Sequence, residues 1–197
     1  MEQMERLPER GDGHGIVVRR WTVDDGPTLH ALVAANVEHL RSRMAWIPEN
    51  PVDLAARRAQ AEAWQQAWLA GGDVVLGIFV DDVAVGGTGL HRRRGPRILE
   101  VGYWVDRRRL REGIATRAAA VATDLAFTVP GIEAVAILHD VENVASRGVP
   151  ACLGFTCVGE EASTRPLAPA DTGRDVVWRL ERTTWLARGR RTLMDGA

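Results

Sequence analysis

Residues 98–116, ILEVGYWVDRRRLREGIAT, pass from a β-type segment through an arginine-rich turn into a helix-forming one, and the organisation of the whole chain follows from that passage. Ile98–Val105 is rich in β-branched and aromatic residues, whereas residues 113–127 are rich in Ala and stop at Pro130-Gly131. The turn between them carries Gly113. A glycine turn at a helix N-terminus directs free backbone N–H groups outward and adds the positive end of the helix dipole, so it can hold a diphosphate. Glycine also serves plain geometry at such a turn, and by itself the segment leaves both readings open.

Upstream, residues 15–21 (GIVVRRW) read as a first strand, Thr22 to Asp25 offer a helix N-cap, and residues 29–40 read as one apolar-periodic helix. Pro48, Asn50 and Pro51 interrupt the pattern before a second helix over residues 53–69, closed by Gly71-Gly72. Val74–Val80 and residues 84–90 form a hairpin around Asp81-Asp82-Val83, and Ile98–Val105 adds a third consecutive strand. Downstream, residues 134–138 are a short buried strand, so a β-α-β crossover follows the meander. Residues 143–153 read as a helix led by Asn143 and ended by Gly154, with Pro150 removing one bond inside it. Residues 155–159 and 175–180 are the last strands, and the Pro/Ala/Gly-rich stretch 163–173 between them reads as an exposed, mobile loop. The fold class is therefore α/β with a mixed sheet, antiparallel strands first and a βαβα segment after them. Residues 1–14 read as a flexible lead, 15–182 as one domain, and 183–197 as a basic tail with a helix at its start.

The composition narrows the function classes. The 197 residues are 46% hydrophobic, enough for one continuous core, and 25 basic residues nearly balance 26 acidic ones at a net charge of −1. No global field draws such a chain to nucleic acid or to a membrane surface. The polar N-terminus carries no secretory pattern and no apolar run approaches the ~20 residues of a membrane span, so a cytoplasmic location is expected. Cys152 and Cys157 are read as packed thiols, and the five histidines are scattered singly, so no metal is expected.

A second constellation, Asn143-Val144-Ala145-Ser146 followed by Leu153-Gly154-Phe155, lies thirty residues beyond Gly113. Asn143 and Ser146 are three apart and can project from the first turn of one helix. In this order the two segments resemble the acetyl-CoA-binding core of the GNAT superfamily of N-acetyltransferases. Residues Leu110-Arg111-Glu112-Gly113-Ile114-Ala115 fill its Q/R-x-x-G-x-G/A signature, with Leu110 in place of Gln/Arg and Glu112 where a basic residue is frequent. The resemblance to the RimJ/RimL-like branch is wider, taking in Asn36-Val37-Glu38-His39-Leu40, Trp46 and Glu100-Val101-Gly102-Tyr103-Trp104-Val105.

That resemblance implies a three-layer α/β/α fold with a mixed, mostly antiparallel, centrally splayed sheet, and acetyl-CoA as cosubstrate. It places the cofactor on Tyr103, Trp104, Val105, Arg111, Glu112, Gly113, Ile114, Ala115, Thr116, Asn143 and Ser146, with a backbone N–H near Val105 as an oxyanion donor. The family's usual tyrosine acid would stand at Pro150, so Ser146 becomes the candidate donor to the departing thiolate. An amine of pKa ~10 must lose a proton before it attacks. Glu100 is the candidate base, or else the ion-pair partner of a nearby arginine, and Glu38 is the second-choice carboxylate. Glu38 and Trp46 are the candidate acceptor contacts, although Trp46 also fits ordinary packing. The arginine runs 92–94 and 107–111 read first as solvated loops, next as contacts for a CoA phosphate, and last as a nucleic-acid surface. The implied partners are an acyl-CoA and an amine acceptor, either a protein N-terminus or a small molecule, with a homodimer allowed. Alternatives left open are a catalytically silent CoA-binding module and an enzyme for a larger donor such as succinyl-CoA.

Overall fold

The computed structural model describes residues 5–47 and 52–187. The interruption at Pro48, Asn50 and Pro51 lies outside the described residues, as do residues 1–4 and the tail beyond 187. In chain order the elements are β1 (Arg10–Gly13), β2 (Ile16–Arg20), α1 (Gly26–Ala34), α2 (Val37–Arg41), α3 (Leu54–Leu69), β3 (Val74–Val80), β4 (Val83–His91), β5 (Ile98–Val105), α4 (Ile114–Thr128), β6 (Ala134–Asp140), α5 (Val144–Cys152), β7 (Thr156–Ala162), β8 (Arg174–Glu181) and α6 (Arg182–Ala187). The strands form one sheet in the order β1-β2-β3-β4-β5-β6-β8-β7, in which only the β5–β6 pair is parallel.

Strand alternation assigns the two faces. Val18, Leu76, Ile78, Leu99 and Val101 turn toward α4 in the larger core, while Trp21, Leu29, Leu32, Val33, Leu40 and Phe79 make a second core under α1 and α2. The result is the three-layer α/β/α arrangement.

Five local expectations are corrected. Residues 10–13 of the supposed flexible lead form β1, paired with β2 across His14-Gly15, both at positive φ (54° and 71°), and Leu7 is buried at 1% exposure. The helix over 29–40 is two helices. Buried Asn36 breaks it, its Nδ2 donating to the Leu32 carbonyl (2.9 Å) and its Oδ1 accepting from Arg107 N–H (2.8 Å). Loop 163–173 is strapped down: Arg165 spans Asp171 (2.7 Å) and Asp175 (2.9 Å), Ala170 N–H donates to the Ser42 carbonyl (3.0 Å), and Ala168 is buried. Cys152 and Cys157 are free thiols, but both are exposed. The β3–β4 turn is tighter than the three residues read from sequence. Asp81 and Asp82 both take positive φ (48° and 62°), the requirement of a two-residue type I′ hairpin.

Candidate active site

β5 and β6 pair at only three positions, Ile98↔Ala134, Leu99↔Val135 and Glu100↔Ala136. Beyond them β5 continues to Val105 and β6 to Asp140, so the sheet opens between them. Asp106 N–H donates to the Val85 carbonyl on β4 (2.8 Å). By ladder alternation the N–H groups of Tyr103 and Val105 therefore face away from β4, into the opening. The opening leads into a cavity of about 690 Å³ that reaches from β6 and α5 to the helical layer over α1 and α3.

At the outer end of β5 the chain turns through Arg107–Arg109 into α4. Arg111 and Gly113 stand at φ 67° and 71°, and Gly113 is the N-cap. The N–H groups of Ile114, Ala115 and Thr116 open the helix without intrahelical acceptors. Arg111, Glu112 and Gly113 are exposed, and a Cβ on Gly113 would meet nothing within 4 Å, so the left-handed backbone rather than crowding is what requires glycine there. Asp106 stiffens the approach by accepting from the backbone and guanidinium of Arg108, and that guanidinium holds its carboxyl down at about 2. Most of the arginine run is consumed locally: Arg94 pairs with Glu161, Arg97 with Glu133, Arg108 with Asp106 and Arg109 with Glu112.

Across the opening stands α5, begun by Asn143 and containing Pro150. Proline has no N–H to give the carbonyl four residues earlier, which is that of Ser146. Tyr103 supplies the missing donor from β5, its hydroxyl reaching Ser146 O at 3.1 Å. Burial pushes the Tyr103 phenol well above its ordinary range, so it acts as a fixed donor that ties α5 to β5 across the opening. Asn143 makes no side-chain cap bond and lines the cavity with Ser146.

Glu100, Gly102 and Trp104 share the face of β5 opposite Tyr103. Glu100 lines the cavity, 13% exposed, and Arg93 Nη1 lies 3.5 Å from it. The arginine partnership considered from sequence is present and coexists with access to the cavity. Trp46 also lines the cavity, 6.1 Å from Trp104 between ring centroids at 51°. Trp21, Leu29, Met44 and Trp64 extend this apolar wall.

Of the residues singled out in sequence, the structure brings Glu100, Tyr103, Trp104, Asn143, Ser146 and Trp46 around one cavity. Val105 ends β5 and Arg111 to Thr116 follow it into α4, outside the cavity lining. Glu38 does not join them, being exposed on α2 outside the cavity lining.

Sequence reasoning missed a polar rim. Asp140 and Asp171 come within 3.6 and 4.0 Å of Arg43, and Arg165 joins Asp171 to Asp175. Burial works against charge on Asp140, but hydrogen bonds from the Glu142 and Thr172 N–H groups and the Thr172 hydroxyl, with nearby Arg43, outweigh it and hold the carboxyl below its usual range. Also missed were His91 and His139. Trp178 Nε1–H donates to His139 Nε2 (3.1 Å), which leaves Nδ1–H to donate to the Asp140 carbonyl (2.9 Å) and occupies both ring nitrogens.

The sheet is thus open between β5 and β6, with the N-terminus of α4 after the outer end of β5 and the start of α5 opposite. The acetyltransferase (GNAT) domain family matches residues 16–156, well over half of the chain. The chain belongs to the GNAT acetyltransferase family. It is 28% identical over 142 residues to YdaF of Bacillus subtilis (strain 168), a protein assigned by name to the ribosomal N-acetyltransferases, covering 71% of this chain and 77% of that one. In fold it is similar to RimL, the ribosomal L7/L12 alpha-N-protein acetyltransferase, in complex with coenzyme A, at a TM-score of 0.77 and 20% identity over 91% of this chain and 99% of that one. Mycobacterium smegmatis RimJ in complex with CoA-disulfide gives 0.73 at 20% identity, covering 95% of this chain and 96% of that one. The microcin C7 self-immunity acetyltransferase MccE, in complex with acetyl-CoA and AMP, gives 0.76 at 16% identity, covering 86% and 93%. Among the described residues of this GNAT protein, no helix is long and apolar enough to cross a membrane.

Proposed function

We propose that this GNAT protein transfers an acetyl group from acetyl-CoA to a primary amine, on a protein N-terminus or a small molecule. The observation that carries the reading is the coincidence of the β5–β6 opening with the unpaired N–H turn of Arg111 to Thr116 that follows β5 beside it. In this reading the diphosphate sits on that turn, where backbone donors and the helix dipole meet a doubly charged group. Arg107 and Arg111 make no ion pair among the described residues and stand ready for the remaining phosphate charge. The pantetheine arm then runs into the opening, where its amides pair with the free strand edges. The thioester lies near Val105 N–H, which faces the developing oxyanion.

Ser146 donates to the leaving thiolate, since Pro150 excludes the usual tyrosine. Glu100 receives the incoming ammonium on the cavity side of β5. The apolar wall of Trp46, Trp64, Trp104 and Met44 takes the body of the acceptor, and no feature of it requires a larger acyl group than acetyl. The test is thiol release from acetyl-CoA over a panel of N-terminal peptides and small amines, with succinyl-CoA in parallel. Amine-dependent release with acetyl-CoA supports the reading; release with succinyl-CoA alone moves it to a larger donor.

A further inference from the structure

β4 ends at His91, which lines the cavity directly across the ladder from Glu100. Two neighbours define what its ring can do. Asp73, just before β3, places Oδ2 2.8 Å from His91 Nδ1, while its Oδ1 accepts from Arg92 N–H (2.8 Å). The ring edge on the other side is given room by two glycines: a Cβ on Gly89 would lie 3.0 Å from His91 Nε2, and one on Gly102 3.7 Å. Gly89 and Gly102 are themselves register partners. A side chain at either place would stand against the imidazole.

A carboxylate only accepts, so the Asp73 contact fixes the proton on Nδ1 and leaves the lone pair on Nε2. Arg93 Nη2 also lies 3.2 Å from Nδ1, which would demand the opposite tautomer. The Asp73 contact is shorter and charge-assisted, and Arg93 has carboxylates of its own within reach, Asp73 at 3.6 Å and Glu100 at 3.5 Å. Asp73 is ready for the role: burial raises its carboxyl, but the His91 ring, Arg92 N–H and Arg93 charge together hold it below the usual range.

We infer that His91 Nε2 is the group that takes the proton from the acceptor amine, with Asp73 as the residue that positions it and Glu100 as the carboxylate that holds the ammonium beside it. The inference rests on the acetyl-transfer reading. By reference values an imidazole (pKa about 6.5) lies about two units nearer an amine than a carboxylate (about 4.3), on the order of a hundredfold in the proton-transfer equilibrium. The balance is complete. The ammonium gives one proton to Nε2 and becomes an amine, its nitrogen forms the C–N bond at the thioester carbonyl, and the C–S bond breaks. The second nitrogen proton passes to the CoA sulfur by way of Ser146, and His91 returns its proton to solvent. The charged groups facing the ring are Asp73 ahead of β3, Arg93 after β4 and Glu100 on β5.

Two measurements decide it, and the first needs no acceptor. Long-range proton–nitrogen couplings on the full chain at neutral pH read the tautomer of His91: Nδ1–H with a bare Nε2 is expected, and an Nε2–H ring overturns the proposal whatever the enzyme acts on. The second compares variants on whichever peptide or amine of the panel turns over with acetyl-CoA. His91→Gln lowers kcat/KM about a hundredfold and removes the acidic limb of its pH profile, while acetyl-CoA affinity by calorimetry stays. Free imidazole restores part of the rate to His91→Ala. Asp73→Asn removes the charged acceptor that holds the proton on Nδ1, so the same couplings should show a larger Nε2–H share and kcat/KM should fall with it. A His91→Gln enzyme within threefold of wild type, with the limb intact, refutes the assignment. Silence of the wild-type protein across the panel strikes the acetyl-transfer reading instead, and the tautomer measurement still judges the dyad.

Discussion

The turn that follows β5 beside the opening and the cavity behind it are built from different materials. The turn into α4 presents backbone: N–H groups, a left-handed Gly113, and a side-chain clamp from Asp106 that shapes the turn. In the cavity the walls are side chains from many segments, with Trp46 and Met44 after α2, Trp64 from α3, His91 from β4, Trp104 from β5 and Arg165 from the last long loop. A backbone site tolerates any side chain that keeps the turn, so it can serve one invariant ligand group. A side-chain wall can change with the acceptor. On the proposed function the turn is the donor end, to be damaged by altering conformation, and the cavity the acceptor end, to be damaged by altering shape or charge.

The largest effect expected is at the turn. Gly113→Val forces a β-branched residue into positive φ, and loss of one or two charge-assisted hydrogen bonds to the diphosphate lowers acetyl-CoA affinity on the order of a hundredfold. Calorimetry on the folded variant checks it, and an unchanged affinity would move the diphosphate elsewhere. Next is Ser146→Ala: if Ser146 is the thiolate donor proposed above, the loss of its hydroxyl should cut kcat about tenfold to a hundredfold while leaving CoA binding nearly untouched. An unchanged kcat would reduce Ser146 to a helix residue.

The seam between the two ends gives a third test, in stability. Tyr103→Phe leaves the Ser146 carbonyl without its donor and should cost about 1–3 kcal/mol. In a Pro150→Ala background the restored N–H satisfies that carbonyl, so the same substitution should cost much less. Denaturant melts of the four proteins give the coupling, and simple additivity would contradict the substitution of phenol for N–H.

At the acceptor end, Trp46→Ala should raise the KM for the amine about fivefold to tenfold, with kcat and CoA affinity little changed. An effect on CoA affinity instead would make Trp46 core rather than pocket. The smallest effect concerns Asp106. Its folded pKa, about 2, lies below the unfolded value near 4, so its stabilising contribution is present above pH ~4 and is lost as pH falls toward 2. Asp106→Asn should lower Tm by about 3 °C at neutral pH and flatten the melting curve's dependence on acid. A variant as acid-sensitive as wild type would place the titrating group elsewhere.

This division also explains what could be read from the chain. The donor end is local: the strand, the turn with Gly113 and the Asn143 to Ser146 helix start are each a contiguous pattern, and the elements and their order followed from them. β1 escaped because its signal is four residues around a two-residue turn, and the break at Asn36 because it depends on a bond to Arg107 seventy-one positions away. Loop 163–173 has a loop's composition, but Arg165, Asp171 and Asp175 hold it through pairings that composition does not reveal. His91 and Asp73 could not be joined before the β3–β4 register was known, and Glu38, placed by motif position, turned out on an exposed helix face.

The central claim is that the opening between β5 and β6 carries out acyl transfer rather than CoA binding alone. Thiol release from acetyl-CoA, followed over the amine panel together with the mass of the acceptor, tests it most directly. The account predicts release that depends on one class of amine, matched by acetylated acceptor and lost in Gly113→Val. Tight acetyl-CoA binding with no amine-dependent release would contradict it, and would leave this chain a silent CoA-binding module.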